Sequence, residues 1–375
     1  MSWPSAGVNQ LNQLQGETNE VERCVLFIGK GTVNVGKTLA VNTQSDFDKL
    51  LGEADSPLKS DVLAAMKNAG QNWWGFIHVL AADAEADAWV KAVKDAQVSC
   101  SVEGVVLSDD TATKTVINQA VALRSELIAK FGRWTWFILA VQGMQEDESQ
   151  TDYLTRLSTL QSGIAEKAVQ LTPRLFGHEP GVLAGRLCTR AVTIADSPAR
   201  VQTGALIDLG SDELPLDGAG EVLELATLQA LEMQRYSVPM WYPDYDGYYW
   251  ADGRTLDVEG GDYQSIETLR IADKAARRIR LLAIGKIGDR SLNSTPGSIE
   301  AHQSLFMKPL REMSTAARIN GVAFPGEVKA PQDGDVTIVW KNKKTVDIYI
   351  VVRTYEVPLQ ITINLLLDAS LEGAA

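Results

Sequence analysis

The apolar and polar positions of the first half of the chain alternate between two kinds of pattern. Short apolar runs of strand length recur at Cys24–Ile28, Phe76–Ala81, Val105–Leu107 and Trp134–Val141. Apolar residues at helical spacing lie between these runs, over Pro57–Ala69, Ala84–Ala96 and Thr111–Phe131. Strands that alternate with helices indicate a largely parallel sheet covered by helices. We therefore predict an outer α/β layered domain over residues 21–175.

The final third, residues 261–375, has a different pattern that predicts an α+β domain. Two helices are expected, at Tyr263–Ile284 and Ile299–Ile319, and Pro309 should kink or restart the second. Strands are predicted at Asp335–Trp340, Val346–Thr354 and Gln360–Leu367. In the second strand, Val346, Ile348, Ile350 and Val352 should face one side, with Asp347, Tyr349 and Arg353 opposite. The first two strands form an antiparallel hairpin, and 358–368 is a terminal strand.

Residues 176–260 are less regular, and we treat them as a middle region and linker. Helical pieces are expected near 180–190 and 219–234, among loops rich in Gly, Pro and aromatic residues. Tyr236–Trp250 is dense in aromatic side chains. Packing between domains explains such a cluster, and binding of a ligand or sugar is the alternative.

The first 20 residues read as an N-terminal arm. They are rich in Gln, Asn, Gly and Ser, and they cannot bury enough apolar surface to fold alone. Val8, Leu11 and Leu14 give the arm apolar contacts for another surface. The arm should become ordered on a partner, although a frayed terminus would have the same composition.

Composition excludes several classes of protein. The chain has 375 residues and a net charge of −13, which disfavours binding to nucleic acid. Three widely spaced Cys and three His predict neither a disulfide framework nor a metal site. The polar N-terminus is no signal peptide, and no apolar stretch has the length of a membrane span. We expect a protein that is made in a cytoplasm and stays soluble.

Charge is distributed unevenly along the chain. Residues 262–318 contain ten Lys and Arg against six Asp and Glu, a net charge of +4 within an acidic protein. A basic helical segment suggests an acidic partner, or an acidic surface of another copy of the chain. A solvated helix face is the alternative.

One segment matches an enzyme motif, the P-loop pattern G-x-x-x-x-G-K-[ST]. Gly31, Gly36, Lys37 and Thr38 supply its fixed positions and follow a predicted strand. However, Leu39–Asn42 continues as an extended segment where a helix should begin, and Val33 and Val35 favour a hairpin. No catalytic or metal-binding constellation is otherwise visible, so we expect no enzyme and no cofactor. A P-loop nucleotide hydrolase remains the alternative function.

Several segments in order resemble the contractile tail sheath proteins of myophages and related contractile injection systems, as a divergent branch. Tyr248–Leu256 is similar to a Trp-Gly-Arg-Thr stretch of that family, with Asp252 interrupting the usual spacing. The ending P-L-Q-I-T-I, from Pro358, is similar to the family's C-terminal end. The other segments that carry the resemblance are Ser5–Gly29, Ser45–Gly52, Leu58–Ala69, Trp73–Leu80, Gly181–Arg186 and Ser197–Gly204.

The resemblance implies a structural subunit that stacks in six-fold discs as a helical sheath around an inner tail tube. The sheath would contract without a nucleotide and drive the tube through the host envelope. The implied partners are the tube, baseplate and tail terminator proteins. The implied place is the virion tail, assembled in the host bacterial cytoplasm, with no direct membrane insertion.

The resemblance also assigns roles to the chain ends and to the basic segment. The arm and the terminal strand would add to the sheets of neighbouring subunits, so the linking residues would be Val8, Leu11, Leu14, Ile361, Ile363 and Leu365. The C-terminal domain would lie inside, toward the tube, and the α/β domain outside. Candidate tube-facing residues are Arg270, Lys274, Arg277, Lys308 and Arg311. A glycan-binding module that uses the aromatic cluster, with Trp241, is a third hypothesis.

Overall fold

A computed structural model describes residues 21–365, and residues 1–20 and 366–375 lie outside that description. Its main feature is a six-stranded sheet in the order β2-β3-β1-β4-β5-β6. All neighbouring pairs are parallel except β2 and β3, which are antiparallel. The strands are β1 (Val25–Lys30), β2 (Thr38–Asn42), β3 (Trp74–Leu80), β4 (Gly104–Leu107), β5 (Trp136–Val141) and β6 (Val169–Pro173). The predicted parallel sheet is confirmed.

Helices cover this sheet because their apolar faces have no other place to be buried. They are α1 (Phe47–Leu51), α2 (Pro57–Ala69), α3 (Ala88–Ala96), α4 (Lys114–Phe131) and α5 (Gln150–Gln161). The start of α2 follows from its sequence, since Ser56 caps the helix by accepting from the Lys59 amide and Pro57 fits the first turn.

The middle region continues the same hydrophobic core. It contains α6 (Glu179–Cys188), a 3₁₀ turn (Val201–Thr203), α7 (Leu225–Met233), β7 (Pro239–Tyr242) and β8 (Tyr245–Trp250). The aromatic stretch, predicted as loops, is thus a hairpin. Helix α6 is fully buried against α2. A Cβ at Gly181 would lie 2.2 Å from the Asp61 carbonyl oxygen, so glycine permits this close helix contact.

Residues beyond 260 form two long helices and two hairpins. The elements are α8 (Ile266–Ile284), α9 (Pro296–Met313), β9 (Ala317–Ile319), β10 (Val322–Phe324), β11 (Val336–Asn342) and β12 (Thr345–Ile350). The alternation predicted for the second of the three strands, which is β12, is confirmed. Val346, Ile348 and Ile350 pack against a cluster that includes Phe306, whereas Tyr349 is exposed. The α+β character of this part agrees with the expectation.

One prediction for this part was wrong, the end of the second helix at Ile319. The helix ends at Met313, and residues 317–324 instead form the β9–β10 hairpin, whose turn holds Asn320 and Gly321 at positive φ values. Helix α9 runs through Pro309 without a restart, and buried Phe306 and Leu310 lie on either side of the proline. The segment predicted as the terminal strand, Gln360–Leu367, is unpaired as far as residue 365, and its pairing with a neighbouring subunit stays a prediction.

None of the helices in residues 21–365 combines the length and the apolar character that crossing a membrane requires.

Candidate assembly site

The P-loop-like segment, Gly31–Thr38, is a connection between two strands of the sheet. The Gly31 amide donates to the Leu80 carbonyl (3.0 Å) and the Gly36 amide to the Val79 carbonyl (2.8 Å). The side chain of Lys37 donates to the Asn34 amide oxygen (3.2 Å), and the Thr38 hydroxyl bonds His78 Nδ1 (2.8 Å). Strand β2 begins at Thr38, where a phosphate-binding helix would have to begin. The amides of both motif glycines are therefore bonded to β3 and are not available to a phosphate.

The end of the described chain, residues 351–365, contains no helix or strand and is exposed from residue 355 onward. Its beginning is anchored, because the Val351 amide donates to the Asp335 carbonyl (2.8 Å) and Arg353 pairs with the Asp335 carboxylate. Lys329 pairs with Glu356. From residue 357 to 365, no hydrogen bond to the rest of the described chain is present. The segment therefore leaves the fold after Glu356.

Apolar side chains alternate along this segment in the pattern of a strand with one buried face. Ile361 is 74% exposed, Ile363 78% and Leu365 92%. The exposed residues that share their spacing of two are Val351, Tyr355, Val357 and Leu359. A solvated segment gains nothing from such a pattern, whereas a strand that packs on another surface does. Within the described chain, no surface covers these side chains.

The hairpin of β11 and β12 is a two-stranded sheet with open edges. Each strand pairs with the other and with no further strand of residues 21–365. Its inner face is covered, because Val336 and Ile338 are buried against Phe306 and Met307 of α9. A hairpin that is supported on one face and open along its edges can accept additional strands.

The arm residues Val8, Leu11 and Leu14 lie outside the described residues. Where the description begins, the chain is firmly attached. Arg277 Nη2 donates to Glu22 Oε1 (2.6 Å), and Glu22 is buried. The arm therefore starts beside the middle of α8.

Three of the five basic residues that the sequence assigns to a tube-facing surface are turned inward. Arg270 is 2% exposed and binds Glu103 through two hydrogen bonds of 2.6 and 2.8 Å. Lys274 is buried and pairs with Glu327 at 2.9 Å, and Arg277 pairs with Glu22. The charge of these three side chains is taken up by internal carboxylates, so they do not form an exposed basic face. Lys308 and Arg311 of α9 are exposed.

Two of the ion pairs of α8, Arg270–Glu103 and Arg277–Glu22, form a seam between the sheet domain and the C-terminal part. Asp273 adds a further pair, since Arg124 of α4 donates to both of its carboxylate oxygens (3.0 and 2.7 Å). Burial by itself raises the pKa of Glu103, but the charge and hydrogen bonds of Arg270 outweigh it and bring the pKa below its usual range. The sequence carries no signal for the roles of Glu22, Glu103 and Asp273, because the partner of each residue is remote in the chain.

Two buried carboxyl groups without a direct cationic partner lie at the same junction. They belong to Asp252, which precedes α8, and Glu267, in its first turn. Burial raises the pKa of Asp252 to about 6, and burial together with the negative charge of Asp252 raises the pKa of Glu267 to about 8. The Ser265 hydroxyl lies 3.4 Å from each Asp252 oxygen, and Glu267 Oε2 has no partner. At neutral pH we expect Glu267 to keep its proton.

This pair predicts a pH dependence of folding. In the unfolded chain both carboxyl groups lose their protons near pH 4. In the folded chain Asp252 keeps its proton up to about pH 6 and Glu267 up to about pH 8. Their contribution to stability is therefore present below about pH 4 and is lost as the pH rises through the folded values. Glu267→Gln should raise the denaturation midpoint at pH 8.5 relative to the parent and leave it nearly unchanged at pH 4. The control, exposed Glu300→Gln, should give the same difference from the parent at both pH values; equal behaviour of the two variants would contradict the prediction.

The aromatic hairpin exposes tyrosines rather than its tryptophan. Trp241 is partly buried, packs edge-to-face on Tyr248 (6.1 Å between centroids) and joins the main core cluster. Tyr242 and Tyr245 are exposed, with a centroid separation of 6.3 Å. Packing thus accounts for Trp241.

Cys24, Cys100 and Cys188 are free and buried, and no group of three metal-ligating side chains exists among residues 21–365.

Comparison with known proteins gives two family matches that together span almost the whole chain. The family described as DUF2586, N-terminal domain, matches residues 3–254, and DUF2586, C-terminal domain, matches residues 262–370. A protein of Haemophilus phage HP1 (strain HP1c1), named "Putative tail sheath protein", is 57% identical over 374 residues, which cover 98% of each chain.

Solved structures of sheath proteins share the fold. The anti-feeding prophage helical sheath in its contracted state matches with a TM-score of 0.60 at 12% identity, over 98% of this chain and 100% of that one. The sheath tail protein of Desulfitobacterium hafniense gives a TM-score of 0.56 at 10% identity, over 93% and 96%. That of Listeria innocua gives 0.56 at 8% identity, over 90% and 93%.

Proposed function

The chain belongs to the DUF2586 family and is a full-length relative of the phage HP1 tail sheath protein, and from this premise we propose that it is the structural subunit of a contractile tail sheath. Subunits polymerise around an inner tail tube as stacked six-fold discs. Contraction of the sheath drives the tube through the host envelope. The family membership, the relative from phage HP1 and the likeness of the fold to the anti-feeding prophage sheath in its contracted state support this function.

The observation that carries the proposal is the unpaired end of the chain. Residues 357–365 alternate in the pattern of a strand, yet they pair with nothing in residues 21–365. The β11–β12 hairpin offers open edges on every other copy of the protein. Ile361, Ile363 and Leu365 add to the hairpin of a neighbour, where main-chain hydrogen bonds and burial of one apolar face hold the two subunits together.

The arm is the second link. Val8, Leu11 and Leu14 supply apolar contacts to another subunit, and Glu22 fixes the point from which the arm leaves its own fold. Two links per subunit, one at each chain end, give a connected mesh that does not come apart when discs slide and rotate. The six-stranded domain lies toward the outside of the sheath, and the C-terminal domain lies inside.

The basic residues that contact the tube are the two candidates whose side chains are exposed. Lys308 and Arg311 lie on the exposed side of α9, and they face an acidic surface of the tube. Arg270 and Arg277 instead bind carboxylates of the sheet domain and hold the two parts of the subunit together, whereas Lys274 pairs with Glu327 within the C-terminal part. The other partners are the baseplate and tail terminator proteins. The protein resides in the virion tail after assembly in the host cytoplasm.

Contraction in this scheme uses no nucleotide, because energy is stored in the lattice of the extended sheath and released as subunits repack. The alternative, a P-loop nucleotide hydrolase acting through Lys37 and Thr38, has no support from the fold or the relatives. In that loop, the amides of Gly31 and Gly36 are already bonded to backbone carbonyls of the neighbouring strand.

Negative-stain electron microscopy of the purified full chain at high concentration tests the proposed function. We expect hollow striated tubes from the full chain and none from a variant that lacks residues 1–16, because the remaining chain keeps its core but loses one link. Discrete particles from both proteins would contradict the function. Tubes from both would contradict the linking role of the arm alone.

A further inference from the structure

A cleft with an apolar floor and a basic rim opens at the end of α8. It has a volume of about 1130 Å³ and lies between the α8–α9 connection and the tip of the β11–β12 hairpin. Ile284, Phe306, Trp340, Val346 and Ile348 form its apolar lining. No contact described above for the function uses this cleft.

The charge of the rim is unusual for this protein. The cleft is lined by Arg280, Lys286, Arg290, Lys343 and Lys344, and by one acidic residue, Asp289, which pairs with Lys286 at 2.8 Å. The whole chain carries a net charge of −13. Inside the cleft, Trp340 Nε1 is a buried donor without a partner. The cleft therefore fits a segment that brings carboxylates, a hydrogen-bond acceptor and several apolar side chains.

The N-terminal arm, residues 1–20, has this chemistry. It contains Glu17 and Glu20 and no Lys or Arg, and its apolar residues include Trp3, Val8, Leu11 and Leu14. Polar Gln and Asn side chains between them supply acceptors. The two carboxylates, at the end of the arm next to the fold, complement the basic rim, and the apolar residues that precede them complement the floor of the cleft.

The point at which the arm leaves the fold is close to the cleft. Glu22 is bonded to Arg277 of α8, and Arg280, three residues further along the same helix, already lines the cleft. Three residues of helix correspond to roughly 4.5 Å. An arm of 20 residues spans up to roughly 70 Å when it is extended, so it reaches the whole cleft from its own subunit.

The other end of the chain leaves the fold in a less suitable place. Arg353 pairs with Asp335, which precedes β11, whereas the cleft lies at the opposite end of that strand, at Trp340 and Asn342. The seven residues of β11 separate the two places by roughly 20 Å.

We infer that, in the unassembled subunit, the cleft binds the N-terminal arm of the same chain. The arm is then stored on its own C-terminal domain and leaves it only when a neighbouring subunit offers a competing surface. Storage in cis is favoured because a short tether gives the arm a high effective concentration at the cleft. The inference rests on the proposed function in one respect, the use of the arm as a link after assembly.

A photo-cross-linking experiment on the full chain tests the inference. A benzoylphenylalanine at position 287, in place of Ile287, which is 81% exposed on the cleft wall, is irradiated in dilute, unassembled protein. The mixture contains equal amounts of ¹⁵N-labelled and unlabelled chains. We expect adducts with residues 1–20, each within one isotopic species. The same probe in place of Val98, exposed but outside the cleft, should give none with the arm.

Charge reversal in the rim provides the second readout. Lys343→Glu with Lys344→Glu should lower the yield of arm adducts roughly tenfold, since two attractive contacts become repulsive. Lys49→Glu with Lys91→Glu, at exposed sites outside the cleft, should leave the yield unchanged. Adducts of mixed isotope, adducts with residues 366–375 instead, or no arm adducts at all would each overturn the inference. None of these results bears on tube formation, which microscopy measures separately.

Discussion

Arg270→Met should lower the free energy of unfolding by about 3–5 kcal/mol, the usual cost of breaking a buried ion pair by removing one partner. Arg270 is 2% exposed and donates to both oxygens of Glu103 and to the Leu187 carbonyl. Its removal leaves the Glu103 carboxylate buried in the seam between the sheet domain and α8, with no side-chain cation bonded to it. Urea denaturation of the unassembled subunit measures the change.

Two comparisons show whether the ion pair is responsible. Lys308→Met removes an exposed cation of α9 and should change the free energy of unfolding by less than about 0.5 kcal/mol. Glu103→Leu added to Arg270→Met should recover part of the loss, because no buried charge is then left behind. Recovery stays partial, since the Arg23 amide also bonds Glu103. A loss below about 1 kcal/mol in Arg270→Met would contradict the proposed role of the seam.

Replacing Ile361, Ile363 and Leu365 together with Asp should abolish tube formation and leave the subunit folded. These side chains are 74%, 78% and 92% exposed, so their loss removes no packing within the subunit. In an added strand they would share one face and be buried on the neighbouring hairpin, where three carboxylates would be desolvated without partners. Electron microscopy measures the tubes, and the thermal midpoint of the subunit measures the fold.

The opposite face of the same segment supplies the control. Gln360→Asp, Thr362→Asp and Asn364→Asp introduce the same charge in the same nine residues, 357–365, on the face that would stay solvated. Tubes should still form from this variant. If both variants form tubes equally well, the segment is not a link, and if both fail, charge rather than the apolar face determines assembly.

The local sequence was sufficient to predict the layered domain. The apolar runs at Val25, Val105 and Phe137 could be buried only as central strands, and the helices between them had one apolar face each. Boundaries that depend on capping chemistry were predicted well, as at Pro57–Ala69, where Ser56 and Gly70 flank the helix. The family resemblance rested on the order of such segments and is confirmed by the full-length relative.

Other expectations depended on packing and pairing that the local pattern does not specify. Pro309 interrupts the hydrogen bonding of a helix, but burial of Phe306 and Leu310 on either side keeps α9 continuous. The strand expected at Gln360–Leu367 has the right pattern and no partner in its own subunit. A strand requires a second strand, and the sequence cannot say which chain supplies it.

The sequence by itself determined the elements, the layered sheet, the exposed alternation at the chain end and the family, since all of these depend on the order of apolar and polar residues. Only the tertiary structure decided what the basic residues of α8 do. Arg270, Lys274 and Arg277 occupy polar positions of a helix, which a sequence pattern assigns to solvent. Their carboxylate partners, Glu103, Glu327 and Glu22, lie 167, 53 and 255 residues away, and a charge is exposed or paired according to what the fold places beside it.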